Sequence, residues 1–361
     1  MKSSKTKNEL QKEVLNTIKN IDRCSVDLSV GAGKTLIGLK HLNSLKGSKY
    51  LIVAPKVSIF MSWRTDATKF KLDHLLKKIT FSTYLSLNKQ LLDYDCVIFD
   101  EIHSLTFKHN SWLNAYSGKI LGLTGTRPNN PKNIKSLIIN KYAPFKYTYS
   151  TDEAVNDSIL NDYVIHVHEL ELSTKKNIKR TKFDKSIYYT SERDEYNRLS
   201  NKISMSNMKE AMKLGIIRMR FLQKLESKEI LARELLDKSE NKCILFANTQ
   251  EQADSLCLRS YHSNNPNSER NLNAFKVGAI TKLSCVEQLS EGINIPNLKE
   301  GIIMHFFSIN SPKSKQKLGR LLRLLPNDKC ILHILYYKDT VDEINVKEGL
   351  KQFNKDKIVW K

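Results

Sequence analysis

A run of 17 residues from Cys24 to Lys40, CSVDLSVGAGKTLIGLK, restricts what this chain can fold into more than any other stretch. Val26, Leu28 and Val30 make an apolar run, Gly31-Ala32-Gly33 interrupts it, and Leu36, Ile37 and Leu39 follow at spacings a helix can bury. Strand, glycine turn and helix start, in that order, build a cradle for an anion. Backbone N–H groups around Gly31, Ala32 and Gly33 converge at a helix N-terminus, where free donors and the helix dipole both favour negative charge. Lys34 is placed to reach the outer phosphates of a nucleotide, and the Thr35 hydroxyl to coordinate Mg²⁺. The common form of the motif begins with a small residue five positions before Gly33; Leu28 stands there instead.

A chain of 361 residues suits two domains, each able to bury a core without disulfide or metal staples. Its formal charge is +21. Residues 1–150 carry 24 Lys and Arg against 10 Asp and Glu, and the remainder is basic too, so no single tail explains the excess. Such a field favours a polyanion, with nucleic acid the first candidate and a solvated lysine-rich surface the alternative. The six cysteines (Cys24, Cys96, Cys243, Cys257, Cys285, Cys330) form no C-x-x-C pair and several lie in apolar runs. Buried free thiols in a reducing compartment are expected, not disulfides or zinc. His166 and His168 alternate in a strand-like run and read as surface or packing residues. No apolar stretch approaches the ~20 residues that span a bilayer, so a soluble, cytoplasmic protein without a membrane partner is expected.

Along the first half, residues 8–20 read as an amphipathic helix with Leu10, Val14 and Ile18 on one face. Gln11 on that helix can read an adenine edge, since an amide offers both donor and acceptor, or it can sit in solvent. Tyr50–Pro55 is a buried strand stopped by proline; IFMSWRTDATKF suggests a helix and KITFSTYLSL a short strand. A third apolar run, Cys96–Phe99, ends in Asp100-Glu101-Ile102-His103. It delivers two acids at a strand's carboxyl end, where open α/β sheets bind ligands. Asp100 is assigned to Mg²⁺, through water, and Glu101 to orienting and deprotonating an attacking water. Lys119–Thr126 is another strand running into a small-residue turn, from which Thr124 and Thr126 can bridge the acid pair to a second domain. Alternating strands and helices imply a mostly parallel sheet covered on both faces.

In the second half, Tyr163–Val167 and Ser186–Tyr189 look like strands, and one long basic helical stretch is expected over 192–238. Lys242–Ala247 reads as a strand and TQEQADSLCLRS as a helix; Tyr261–Asn273 is expected to be a flexible loop and Val277–Thr281 a strand. VEQLSEGINIP reads as a helix closing in a turn with Gly292 and Pro296. Gly301–Phe306 and Cys330–Leu335 complete the sheet, with a basic tail that carries no signal. Between those strands, Arg320 and Arg323 share a helix face with Gln316. Two guanidiniums there can reach across a cleft to a transferring phosphoryl group, or form a solvated basic face.

Taken in order, these segments resemble the superfamily 2 helicases and translocases of the DExH type. LSVGAGKT is similar to motif I, LIVAPK to Ia, FSTY to Ib, DEIH to II and LTGTRP to III; KCILFANT is similar to IV, TKLSCVEQLSEGINIP to V and QKLGRLLR to VI. The likeness spans about residues 8–340. Asn294 stands where motif V commonly has Asp, and Arg127 intrudes before Pro128 in motif III. The absence of PTRELA and HRIGR forms sets the chain apart from DEAD-box RNA helicases and tilts the choice toward DNA. The compact, lysine-, asparagine- and isoleucine-rich chain looks like phage- or virus-encoded members used in DNA replication, recombination or repair, which would act in the host cytoplasm.

The resemblance implies an α/β protein of two RecA-like domains, each a mostly parallel sheet flanked by helices, with ATP in the cleft between them. The expected limits are 1–150 for the first domain, 151–238 for connecting strands and helices packed on the second, and 239–361 for the second. Lys34, Thr35, Asp100 and Glu101 match the family's ATPase positions, Gln316, Arg320 and Arg323 its motif VI positions, Gln11 its adenine-reading glutamine, and Gly292 its motif V glycine near the γ-phosphate. Lys56, Thr83, Thr249 and Thr281 are candidates for contact with strand phosphates. Trp63 is expected to pack, with stacking on a base as the alternative. The expected activity is Mg-ATP hydrolysis by a monomer that moves along single-stranded or branched DNA. Rival readings are a duplex translocase that remodels forks, an RNA helicase, or a non-catalytic nucleic-acid-binding scaffold.

Overall fold

Strands that are apolar at nearly every position have no face to offer to solvent, so they need helices on both sides. Four strands of the first half have this character, and the structure builds them into the centre of one sheet. The computed structural model describes residues 5–361 apart from 30, 129, 182–184, 287–294, 307–327 and 352. The chain divides into two units, one running through Asp162 and the other taking up at Tyr163.

The first unit runs α1 (Lys7–Ile18), β1 (Arg23–Leu28), α2 (Lys34–Ser44), β2 (Tyr50–Ala54), α3 (Ser58–Lys69), β3 (Ile79–Thr83), β4 (Cys96–Asp100), α4 (Asn110–Ala115), β5 (Lys119–Thr124), α5 (Ile134–Tyr142), β6 (Phe145–Tyr149) and α6 (Thr151–Asn156). The strands form one sheet in the order β3-β2-β4-β5-β1-β6, and each adjacent pair is parallel. All five residues of β2 and four of five in β4 are buried, whereas the edge strand β6 alternates. The register pairs Asp27 with Thr124 and Asp100 with Leu123. Parallel strands in that register carry the turn after β1, the acids after β4 and the threonines after β5 to the same end of the sheet. On one side of it, Val97, Phe99, Trp112, Tyr116 and Ile139 share a cluster. α1 begins with a Thr6–Glu9 capping box and buries Leu10, Gln11, Val14 and Ile18.

The second unit contains β7 (Asp162–Leu170), β8 (Ile178–Thr181), β9 (Ile187–Thr190), α7 (Glu192–Ser204), α8 (Met208–Gln223), α9 (Glu226–Lys238), β10 (Cys243–Phe246), α10 (Gln250–Leu256), β11 (Ser260–Tyr261), α11 (Ser268–Val277), β12 (Lys282–Cys285), β13 (Glu300–Ile303), β14 (Lys329–Tyr337), α12 (Val341–Leu350) and β15 (Ile358–Trp360). Its sheet has the order β11-β12-β10-β13-β14-β7-β15, and β8 and β9 make a separate antiparallel pair. Its core includes Ala232, Leu245, Ala253, Ile302 and Leu335. Together the two sheets give an α/β protein with two parallel-sheet, RecA-like halves.

Several local expectations are corrected here. The helical stretch 192–238 is three helices: Asn207 caps the second by accepting from the Glu210 N–H, and the third begins at Glu226. The region expected as a flexible loop contributes ten-residue α11, ended by Gly278 at φ +84°. The strand expected over 277–281 therefore starts later, at Lys282. The C-terminal tail supplies β15, which pairs parallel with β7. The six cysteines are free, five of them buried. Among the described residues, no helix is long and apolar enough to cross a membrane.

Candidate functional site

The turn between β1 and α2 has the backbone that its glycines predict. Gly31 and Gly33 adopt φ +93° and +91°, a region that an L side chain strains to enter, and Gly33 caps α2. A Cβ on Gly33 would stand 2.6 Å from Gln11 Nε2. Gln11 is 2 % exposed. Its Nε2 donates to the Ala32 carbonyl at 3.5 Å and its Oε1 accepts from Lys40 at 3.3 Å. The structure thus brings Gln11 to the loop and fixes its amide there. Lys34 Nζ donates back to the Leu28 carbonyl at 3.4 Å. Ser29 Oγ, at the mouth of the turn, is buried without a hydrogen-bond partner among the described residues. An orphaned hydroxyl, two left-handed glycines and a lysine at a helix start are donors suited to a phosphate.

Asp100 closes β4 and is held at two points. Its Oδ2 accepts from the Trp63 indole N–H at 2.9 Å, and its backbone carbonyl accepts from the Tyr84 hydroxyl at 2.8 Å. Burial, then the neighbouring Glu101 charge, push its pKa up to about 6, against the Trp63 hydrogen bond and the Lys34 charge. Glu101 follows with φ +54° and ψ +57°, rare for a residue with a side chain. That turn aims its carboxylate at β5, where Thr124 Oγ1 donates to Oε2 at 3.1 Å. His103 Nδ1 lies 2.9 Å from Thr124 Oγ1, 3.0 Å from Thr126 Oγ1 and 3.4 Å from Glu101 Oε2. The Thr126 N–H closes the network on Thr124 Oγ1 at 3.0 Å. Thr35 and Asp100 would hold a Mg²⁺ ion, since oxygen ligands at a phosphate loop suit that hard cation.

The sequence points to the loop, the acid pair and both threonines; it shows His103 only as part of a motif and Trp63 as a packing or base-stacking residue, whereas the structure puts the Trp63 N–H on Asp100. Lys56 and Thr83 follow or end β2 and β3, at the same sheet end as the acids. Thr249 caps α10 just past the carboxyl end of β10. Thr281 lies at the opposite end of that sheet, its carbonyl accepting from Cys243 N at 2.8 Å. The displaced start of β12 is the reason. Gly292, Gln316, Arg320 and Arg323 lie outside the described residues.

Residues 4–129 match the family described as type III restriction enzyme, res subunit. The match lies in the first unit and marks the chain as an ATP hydrolase. No curated protein matches it. Among solved structures it is similar to the helicase domain of Hef from Pyrococcus furiosus, at 14 % identity and TM-score 0.56, over 94 % of this chain and 97 % of that one. It is also similar to the ATP-dependent type ISP restriction-modification enzyme LlaBIII, solved bound to DNA, at 15 % identity and TM-score 0.58. That likeness takes in 98 % of this chain but only 29 % of the larger enzyme. Both share the fold of two RecA-like halves.

Proposed function

We propose that this chain is an ATP-driven motor on DNA, a helicase or translocase serving replication, recombination or repair. The observation that carries the reading is the meeting of the Gly31–Thr35 loop, Asp100–Glu101 and Thr124–Thr126 at one end of a parallel sheet. In this reading the loop amides and Lys34 hold the phosphates, and Gln11 meets the base. Bound Mg²⁺ neutralises charge on the phosphates. Glu101, oriented by Thr124, positions the attacking water and takes its proton. The sequence motifs add Gln316, Arg320, Arg323 and Gly292 as further phosphate contacts in this reading. Lys56, Thr83 and Thr249 contact strand phosphates, so binding is insensitive to sequence and falls with added salt. The net charge of +21 supports a polyanionic track.

The likeness to a restriction-enzyme motor solved bound to DNA favours a second reading, translocation along duplex without separating it. One set of assays divides these. ATP hydrolysis is measured with single-stranded DNA, duplex DNA, forked DNA and RNA, beside strand-displacement and triplex-displacement assays. Stimulation by DNA with strand displacement supports the helicase; triplex displacement alone supports the duplex translocase. Stimulation by RNA alone, or by no nucleic acid, overturns both.

A further inference from the structure

One side chain of α3, Trp63, reaches a residue assigned to the metal. Trp63 is 1 % exposed, and its only polar atom is spent on Asp100 Oδ2 at 2.9 Å. Indole N–H is a donor and nothing else, so it occupies one carboxylate oxygen and fixes the direction of the other. The far edge of the ring lies over Gly38 of α2, where an added Cβ would stand 2.6 Å from Cη2. A side chain at position 38 would drive the indole off Asp100.

We propose that Trp63 is a positioning residue for a metal ligand, so that α3 sets the attitude of Asp100 toward Mg²⁺. This rests on reading the loop and acid pair as the Mg-ATP site. Partners that orient metal ligands typically contribute 10–100-fold in metal affinity, whereas a packing residue alters folding and leaves the metal requirement alone.

The test compares wild type, Trp63→Phe and Gly38→Ala in the full chain. Trp63→Phe keeps an aromatic body over Gly38 and removes the N–H; Gly38→Ala keeps the N–H and displaces the ring that carries it. Binding of a fluorescent ATP analogue is titrated against Mg²⁺ and in EDTA, with melting temperature measured alongside. Each variant is expected to raise the half-saturating Mg²⁺ on the order of tenfold, with analogue binding in EDTA as in wild type. Wild-type Mg²⁺ saturation in both variants, whatever their melting temperatures, overturns the proposal. Should one variant fail to fold, the other decides alone. A wild-type chain whose analogue binding ignores Mg²⁺ and survives Lys34→Ala would overturn the site reading, and this proposal with it.

Discussion

Replacing Thr124 with valine removes one hydroxyl and almost no volume, at a position with 0 % exposure. That oxygen donates to Glu101 at 3.1 Å and accepts from the Thr126 N–H at 3.0 Å, with His103 Nδ1 at 2.9 Å. Valine leaves a buried N–H unsatisfied and a carboxylate short of a donor; each such loss costs about 1–3 kcal/mol, more where the partner is charged. A total of about 2–6 kcal/mol lowers the melting temperature of a unit this size by about 4–24 °C. The larger consequence is for Glu101, whose left-handed backbone depends on Thr124 to anchor its carboxylate. Misplacing a water-orienting group by about 1 Å costs on the order of 10²-fold in rate. Steady-state hydrolysis should therefore fall by about that factor while nucleotide affinity holds. In Glu101→Gln the added Thr124→Val should change little, because the two act as one unit. A Thr124→Val enzyme with a lowered melting temperature and unchanged turnover would refute the link from Thr124 to Glu101.

Two further outcomes concern the second unit. His168 Nε2 lies 2.9 Å from His333 Nδ1, and His333 Nε2 lies 3.0 Å from Glu300 Oε1, a chain across adjacent strands. Burial, then the neighbouring His333 charge, bring His168 down to about 4. Glu300 is brought down to about 2 as hydrogen bonds from His333, Ser239 and Asn241 outweigh its desolvation. In both cases the unfolded chain binds more protons, so stability falls as pH drops, from about 6.5 toward 4 through His168 and from about 4.5 toward 2 through Glu300. Urea melts that are flat between pH 6.5 and 4 would contradict this. The buried Lys228–Asp342 ion pair ties α9 to α12, with Asp342 Oδ2 also accepting from the Tyr337 N–H. Lys228→Met should destabilise the unit by about 3–5 kcal/mol by stranding the carboxylate, and Lys228→Met with Asp342→Leu should recover most of it. An equal loss in the double variant would show that packing matters there more than charge.

What could be read from the sequence was whatever local chemistry decides. Gly31 and Gly33 had to take positive φ, and Leu51–Ala54 and Cys96–Phe99 could only be buried strands, so the loop and acid pair were legible with their sheet. What could not be read came from tertiary contact. Trp63 looks like any core aromatic until its N–H is seen facing Asp100. The three-residue β15 has no periodicity of its own and exists because β7 offers it an edge. Other signals were present and outweighed: Gly278 marks the end of α11 by its left-handed φ, and Asn207 with Glu210 marks the start of α8.

The most direct measurement is nucleotide binding and hydrolysis by Glu101→Gln beside Lys34→Ala, each with and without single-stranded DNA. The glutamine keeps the shape and loses the base. It should bind Mg-ATP as wild type does and turn over on the order of 10³-fold more slowly, whereas Lys34→Ala loses hydrolysis through its phosphate contacts and still binds DNA. Wild-type turnover in either variant would contradict the placement of the chemistry at the ends of β1 and β4.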